Sequence, residues 1–332
     1  MDVVFNMFIT GTGYGILWGI MALGVYITYR LLDVADLTVE GSFATGGAVA
    51  AMLITKGGMS PILACLIALV AGAIAGAVTG LLITKLRIPP ILAGILTMTA
   101  LYSVNLLIMG SKSSIAIIGQ SIFKLGAIEM KYSILLVGVL LSGVIIAGSY
   151  WFFGTEVGSA IRATGANEKM CRAQGINTDN TKIIGLMLSN ALVAFSGALI
   201  AQYLGTGNVT MGVGSIVIGL ASVIIGETII SAKHNFLWRL ISVFLGSVIY
   251  RVIITIVYYL GLGTEYIKLL TAVLVVIALS LPNIRGKLKR SSKTNNSKRV
   301  KEAVGNPTDV IMNDEVANQI VENADKEGSE NA

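Results

Sequence analysis

Long apolar runs separated by short polar stretches set the pattern of this chain. About 20 mostly apolar residues cross the hydrocarbon core of a bilayer as a helix, and most of the runs approach or exceed that length. The pattern predicts spans over Val3–Tyr29, Gly41–Thr55, Pro61–Thr84, Ile91–Met109, Tyr132–Phe153, Ile183–Leu204, Gly212–Ile230, Leu237–Leu260 and Tyr266–Leu281. Gly41–Thr55 and Gly212–Ile230 are the least regular, short or rich in Gly and Ala. Such segments read as half-helices, which a membrane tolerates where protein or a water-filled cavity satisfies their backbone. The expected fold class is therefore all-α: a polytopic helical membrane protein with about eight to nine transmembrane helices.

Two polar segments interrupt the runs. Gly110–Lys131 reads as an outer loop. Gly154–Lys182 reads as a long cytoplasmic loop carrying two short helices, Val157–Thr164 and Glu168–Gln174, with Gly165 and Gly175 as their C-terminal stops. Residues 1–284 then form the transmembrane domain, with the loop 154–182 inside it. Residues 285–332 form a cytoplasmic tail of low hydrophobicity that is expected to be disordered. The tail is basic first, with eight bases from Arg285 to Lys301, and acidic after, with eight acids from Glu302 to Ala332.

Composition removes whole classes of function. Hydrophobic residues make up 55% of the chain and charged ones 13%, against about 25% charged in ordinary soluble domains. The mean hydropathy is +0.80. A soluble globular enzyme and a disordered chain are both excluded. The net charge of +6 gives no case for nucleic acid, because the tail nearly cancels itself. Cys65 and Cys171 have neither disulfide nor metal spacing. The first base is Arg30, so the N-terminal run lacks the basic start of a signal peptide and reads as the first span. Lys and Arg favour cytoplasmic loops, and on that rule the C-terminus is cytoplasmic. An odd number of spans puts the N-terminus outside; one re-entrant segment would bring it inside.

No phosphate-binding loop is present, and the single histidine, His234, sits beside Lys233 in a short turn. No cluster has zinc spacing. No catalytic residue, cofactor or metal is expected. The chain either conducts passively, couples to an ion gradient, or borrows ATP hydrolysis from a partner. In the last case the cytoplasmic loop would be the docking knob, with Arg162, Lys169 and Arg172 pairing with carboxylates and Ala160, Ile161 and Ala163 burying against the partner. The same bases also satisfy a plain connecting loop, and the residues alone leave both readings open.

Polar residues within the apolar runs are candidates for a translocation path. Asp36, Thr38 and Glu40 lie at a helix start, where acids either cap the helix or face a path. Thr97, Thr99, Tyr102 and Asn105 share one span at helical spacing and either line a path or bond neighbouring helices. Gln202 and Asn208 flank an outer mouth with Gly205 and Gly207. Glu227 and Arg251 are charges in or near apolar runs, where charges are rare and usually paired. A mutual Glu227–Arg251 pair is the simplest reading, and a role in gating is the sharper one.

The loop sequence GSAIRATGANEKMCRAQGI resembles the coupling segment of ABC transporter permeases of the branched-chain amino acid and ribose family. Gly158, Ala160, Arg162, Ala163, Gly165, Ala173, Gly175 and Ile176 match it at the family's spacing. A second stretch, LLDVADLTVEGSFATGGAVAA, resembles a subgroup associated with binding proteins for amino acids, notably tryptophan or tyrosine. The resemblance runs over residues 5–283. It implies a helical permease subunit of the bacterial plasma membrane that pairs with a second permease, as a homodimer. ABC ATPase subunits would dock on the cytoplasmic side, through Gly158, Ala160, Ile161, Arg162, Ala163, Gly165, Ala173 and Gly175. A substrate-binding protein would dock outside. The implied function is ATP-driven import of a small polar solute, an amino acid, by alternating access, with no ATPase site in the chain itself. The competing expectation is an ion-coupled secondary transporter using Asp33, Asp36, Glu40 or Glu227.

Overall fold

In the computed structural model of the protein the described residues are 2–118, 121–124, 129–230 and 235–259, together with 269, 271–273, 275, 276 and 280. The chain divides into one unit over Met1–Leu279 and a second over Ser280–Ala332. The expected tail 285–332, most of the span Tyr266–Leu281 and the turn around His234 lie outside the described residues.

Helix ends follow local chemistry. Helix α1 (Asp2–Tyr26) continues into a wider π-helical turn, Ile27–Leu31. Helix α2 covers Thr38–Thr55. Helices α3 (Pro61–Thr84) and α4 (Pro90–Ile108) each start on proline, whose fixed φ and missing N–H suit the first helical position. Strand β1 (Ser114–Ala116) precedes α5 (Met130–Gly154). Short helices α6 (Glu156–Ala166) and α7 (Glu168–Ala173) follow. Helix α8 (Thr178–Leu204) begins on an Asn177 cap that accepts from the Asn180 N–H, and it ends at Gly205 with φ 69°. Strand β2 (Thr206–Asn208), α9 (Ser215–Ile229) and α10 (Phe236–Tyr259) complete the described elements.

Among the described residues six helices are long and apolar enough to cross a membrane, α1, α3, α4, α5, α8 and α10. The two segments singled out as irregular, α2 with 18 residues and α9 with 15, are not among these six. Helix α8 occupies the middle and packs on α1, α2 and α3. Small residues permit this: a Cβ at Gly46, Gly72 or Gly76 would strike the carbonyls of Ala194, Asn190 or Leu186 on α8. Without a hydrophobic drive between helices in lipid, such close approach is what holds them together. The largest core contains Leu17, Met21, Phe43, Phe153, Ile161, Leu186 and Phe244. The outer faces stay apolar. Ile62, Leu66, Val70 and Ile74 on α3, and Leu136, Leu140 and Val144 on α5, are exposed at helical spacing, as a lipid-facing surface requires.

The two ends of the bundle differ. At one end Leu31 meets Gly165 of α6, Arg30 meets Glu227, and Arg87, Arg172 and Lys182 share one cavity wall. Arg172 and Lys182 belong to the segment Gly154–Lys182, which the sequence reads as cytoplasmic. At the other end β1 pairs antiparallel with β2, Ile115 opposite Gly207. Gly13, midway along α1, packs on Ile134 near the start of α5, and the C-terminal end of α1 continues to Leu31 beside Gly165, so the N-terminal end of α1 lies opposite α6. After β2 the chain turns back along α2: Gly207 lies on Gly47, Met211 reaches Gly47, and Gly212 lies against the carbonyl of Glu40. Helix α9 thus starts beside the first turn of α2. The predicted span Gly212–Ile230 is a folded-back segment followed by a 15-residue helix, about 22 Å long.

Candidate functional site

The segment 154–182 is a stiff appendage rather than a tether. The Thr155 hydroxyl accepts from the Gly158 N–H and caps α6; Asn167 accepts from the Met170 N–H and caps α7. Helix α6 is amphipathic. Ile161 is fully buried, and Thr164 shares a 2.9 Å hydrogen bond with Thr181 of α8. Gly165 is inside α6 and not at its stop, which corrects the sequence reading. A Cβ there would strike the carbonyl of Leu31, so the residue must be small for α6 to lie on the end of α1. Gly175 does follow α7, with φ 83°, a conformation that costs glycine little.

Charges rivet α7 to α8. Glu168 accepts from Lys182 at 2.8 Å and from Arg172 at 3.0 Å, and Arg172 reaches Asp179 at 3.1 Å and the Thr178 hydroxyl at 2.7 Å. The hydrogen bond from Lys182, with the charges of Lys182 and Arg172, holds the Glu168 carboxyl below its ordinary range. Arg172 and Lys182 are therefore engaged within the chain. Ile161, expected to bury against a partner, buries against the bundle instead. Arg162 is half-buried with its guanidinium 5.1 Å from the Phe236 ring centroid. It turns toward the start of α10, although the sequence pairs it with carboxylates of a partner. Ala163, Ala166, Lys169 and Met170 remain on the exposed face, with Ala173 and Gly175 exposed beside them. Ala160 is half-exposed and Gly158 is buried in the turn from α5.

A second cluster sits where α2 begins. Asp36 Oδ1 accepts from the Thr38 N–H at 2.9 Å, and Asp36 Oδ2 accepts from Asn190 Nδ2 at 2.7 Å. Asn190 Oδ1 accepts from the Ser42 hydroxyl at 2.7 Å. Thr38 and Thr79 hydroxyls lie 2.8 Å apart. All five side chains are buried, and they lock α2 to α8 and α3. Asn190, Ser42 and Thr79 were not among the sequence candidates. Asn190 carries a signal of the same kind that singles out Asn105 and Gln202, an amide within an apolar run, here Ile183–Leu204.

Glu40 Oε1 accepts from the Gly214 N–H at 2.9 Å. A carboxylate at a helix N-terminus meets the positive end of the helix dipole, so Glu40 of α2 caps α9. A cavity of about 310 Å³ opens beside it, lined by Glu40, Met98, Thr99, Tyr102, Asn105 and Val213 among others. Asn105 is 0% exposed, and neither its Oδ1 nor its Nδ2 has a hydrogen-bond partner. Thr97 faces elsewhere, into an apolar cavity of about 550 Å³ between α2, α3 and α4, and its hydroxyl donates to the Ala93 carbonyl of its own helix.

The remaining candidates lie apart from that cavity. Gln202 pins the end that carries β1 and β2, accepting from the Ile122 N–H at 3.1 Å and donating to the Pro61 carbonyl at 3.3 Å. Glu227 pairs with Arg30, Oε1 to Nε 2.8 Å. Arg251 lies over the rings of Trp18 and Tyr14, at 4.1 and 4.5 Å. The expected Glu227–Arg251 pair is not formed. Helices α9 and α10 are antiparallel, with Gly226 against Ser242 and Gly246 against Ser222. That register sets Arg251 and Glu227 roughly ten residues, or about 15 Å, apart along the pair.

A family model described as "Branched-chain amino acid transport system / permease component" matches residues 7–279. The chain is 38% identical over 273 residues to the tyrosine transport system permease protein of Clostridioides difficile (strain R20291), covering 82% of this chain and 90% of that one. It is 28% identical over 200 residues to the "Probable branched-chain amino acid transport permease protein LivH" of Methanocaldococcus jannaschii, covering 56% and 63%. A solved metal-chelate type ABC transporter in an inward-facing conformation aligns over 85% of each chain, at 15% identity and a TM-score of 0.45.

Proposed function

Because the chain belongs to the family of branched-chain amino acid transport system permease components, we propose that it is the membrane-spanning subunit of an ATP-driven amino acid importer. The observation that carries this is the riveted α6–α7 appendage. A loop that only connects spans has no need of two capped helices, a four-charge clamp and a glycine pressed on the end of α1. A lever needs all three, because motion imposed on it must reach the bundle without being absorbed.

In this reading ATPase subunits dock on the face that exposes Ala163, Lys169 and Met170, at the cytoplasmic end of the bundle. Their closure on ATP moves α6. Gly165 passes that motion to Leu31 at the end of α1, and Arg162 passes it to Phe236 at the start of α10. The transmembrane helices then alternate between inward and outward access. A substrate-binding protein delivers the solute at the opposite end, near β1 and β2, and a second copy of the chain completes the path. The membrane is the bacterial plasma membrane, with the C-terminus inside. The identity to a tyrosine transport permease supports an aromatic amino acid, tyrosine or tryptophan, as the cargo.

The test is uptake of labelled tyrosine and tryptophan by cells producing the chain with its ATPase. An ATPase variant unable to hydrolyse ATP abolishes uptake if the reading holds. Uptake that persists with that variant, and that collapses on dissipating the ion gradient, contradicts it.

A further inference from the structure

The geometry points to a built subsite for the cargo in the cavity between α2, α4 and the segment that folds back before α9, with Glu40 at one end and Asn105 at the other. This rests on the importer reading and names where and how that cargo is held. Buried amides are nearly always hydrogen-bonded, and leaving one unpartnered is destabilising. Asn105 is fully buried with both amide atoms unpartnered, and it lines this cavity. A ligand in the cavity would supply the partner that the amide lacks.

The cavity fits one ligand chemistry. Glu40 takes backbone N–H groups of Gly214 and Ile216 at the start of α9, and its negative charge at this end of the cavity suits an ammonium group. Gly41, next to Glu40, packs on Met98 of α4, and Asn105 lies seven residues further along that helix, which sets the two ends about 10 Å apart. Between them the wall is Ala44, Met98, Val209 and the Tyr102 ring. An elongated α-amino acid matches this order: ammonium on Glu40, an apolar or aromatic body against Met98 and Tyr102, and a hydrogen-bonding tip on Asn105. The volume of about 310 Å³ is at the lower end of small-molecule sites, which suits one amino acid and excludes a peptide. The tip contact favours a side chain ending in a hydroxyl or N–H over its purely apolar analogue, because the apolar analogue leaves the Asn105 amide unpaired.

The test uses the purified full-length chain in lipid nanodiscs and compares binding of L-tyrosine with L-phenylalanine. The wild-type chain is expected to prefer tyrosine by roughly five- to tenfold, the worth of one net hydrogen bond. Asn105→Leu should erase that preference while phenylalanine binding persists. Its melting temperature should hold or rise, since the unpartnered amide is gone; a purely structural asparagine would give the opposite stability change and no change in preference. Glu40→Gln keeps an oxygen for the Gly214 N–H and should weaken both ligands alike. A wild-type chain that binds neither amino acid, or an Asn105→Leu chain that keeps the tyrosine preference, overturns the subsite. Uptake by the complete importer is read separately. ATP-dependent uptake without binding in the nanodisc refutes the subsite alone, whereas binding without ATP-dependent uptake supports the subsite and refutes the importer reading.

Discussion

Arg30 and Glu227 face each other at 2.8 Å, tying the end of α1 to the last turn of α9. The side chains are 55% and 30% exposed, so the pair contributes at the level of a surface bridge, about 0.2–1 kcal/mol. In a double-mutant cycle on thermal stability, Arg30→Ala and Glu227→Gln should couple by that amount. Glu227→Gln and Arg251→Leu should be additive within about 0.5 kcal/mol, since about 15 Å of helix separates them. Coupling between Glu227 and Arg251 larger than that between Arg30 and Glu227 would contradict the structure.

The Asp36–Asn190–Ser42 cluster predicts a more severe loss. Asn190→Leu removes the donor to Asp36 and the acceptor for Ser42 and leaves both buried. The cost should be about 1–3 kcal/mol for the hydroxyl and more for the carboxylate. Detergent-solubilised Asn190→Leu should melt well below wild type, while Asn180→Leu, an exposed amide on the same helix, should melt close to it once its backbone cap contact is retained by Asn177. Equal melting of both variants would show that the cluster adds nothing to the fold.

Acid should loosen the coupling loop. The Glu168 carboxyl is held below its ordinary range, first by the hydrogen bond from Lys182. A depressed folded value means that the stabilisation is complete above the unfolded carboxylate pKa, about 4.3, and is lost as pH falls through the folded value. Hydrogen exchange of the α7 amides should therefore be flat from neutral pH down to that range, after correction for intrinsic rates, and rise below it. Glu168→Gln should show the faster exchange already at neutral pH. A wild-type loop whose protection is unchanged through the acid range would remove the clamp from the account.

Much of this fold was legible from hydropathy, and the failures have specific causes. Pro61–Thr84 was bounded correctly because proline opens it and Lys85 closes it. Helix α8 extends back to Thr178, five residues before its apolar run, because the Asn177 cap lets a polar turn stay helical; hydropathy cannot see that turn. Gly165 was read as a stop because glycine commonly ends helices, but its role is contact with Leu31, a residue 134 positions away, which no local rule contains. The Glu227–Arg251 pair was inferred from charge alone, and the partner Glu227 takes, Arg30, lies on a helix whose neighbour could be known only from the packing. Glu40 and Asn105 were both picked from the sequence as path candidates, but only the folding back of 209–214 brings them to one cavity.

The central claim is that α6 and α7 receive the motion of the ATPase, and Ala163 is the position that tests it most directly. It is exposed on α6, two residues from the fully buried Ile161 and two from Gly165, so a large side chain there meets a partner without entering the bundle. Cells producing the Ala163→Trp chain should be compared with wild type for membrane abundance, for ATPase retained on the purified permease, and for ATP-dependent amino acid uptake. The account predicts normal abundance with loss of the ATPase and of most of the uptake. Normal abundance with the ATPase retained and uptake at the wild-type rate would contradict it, and would reduce 154–182 to a connecting loop.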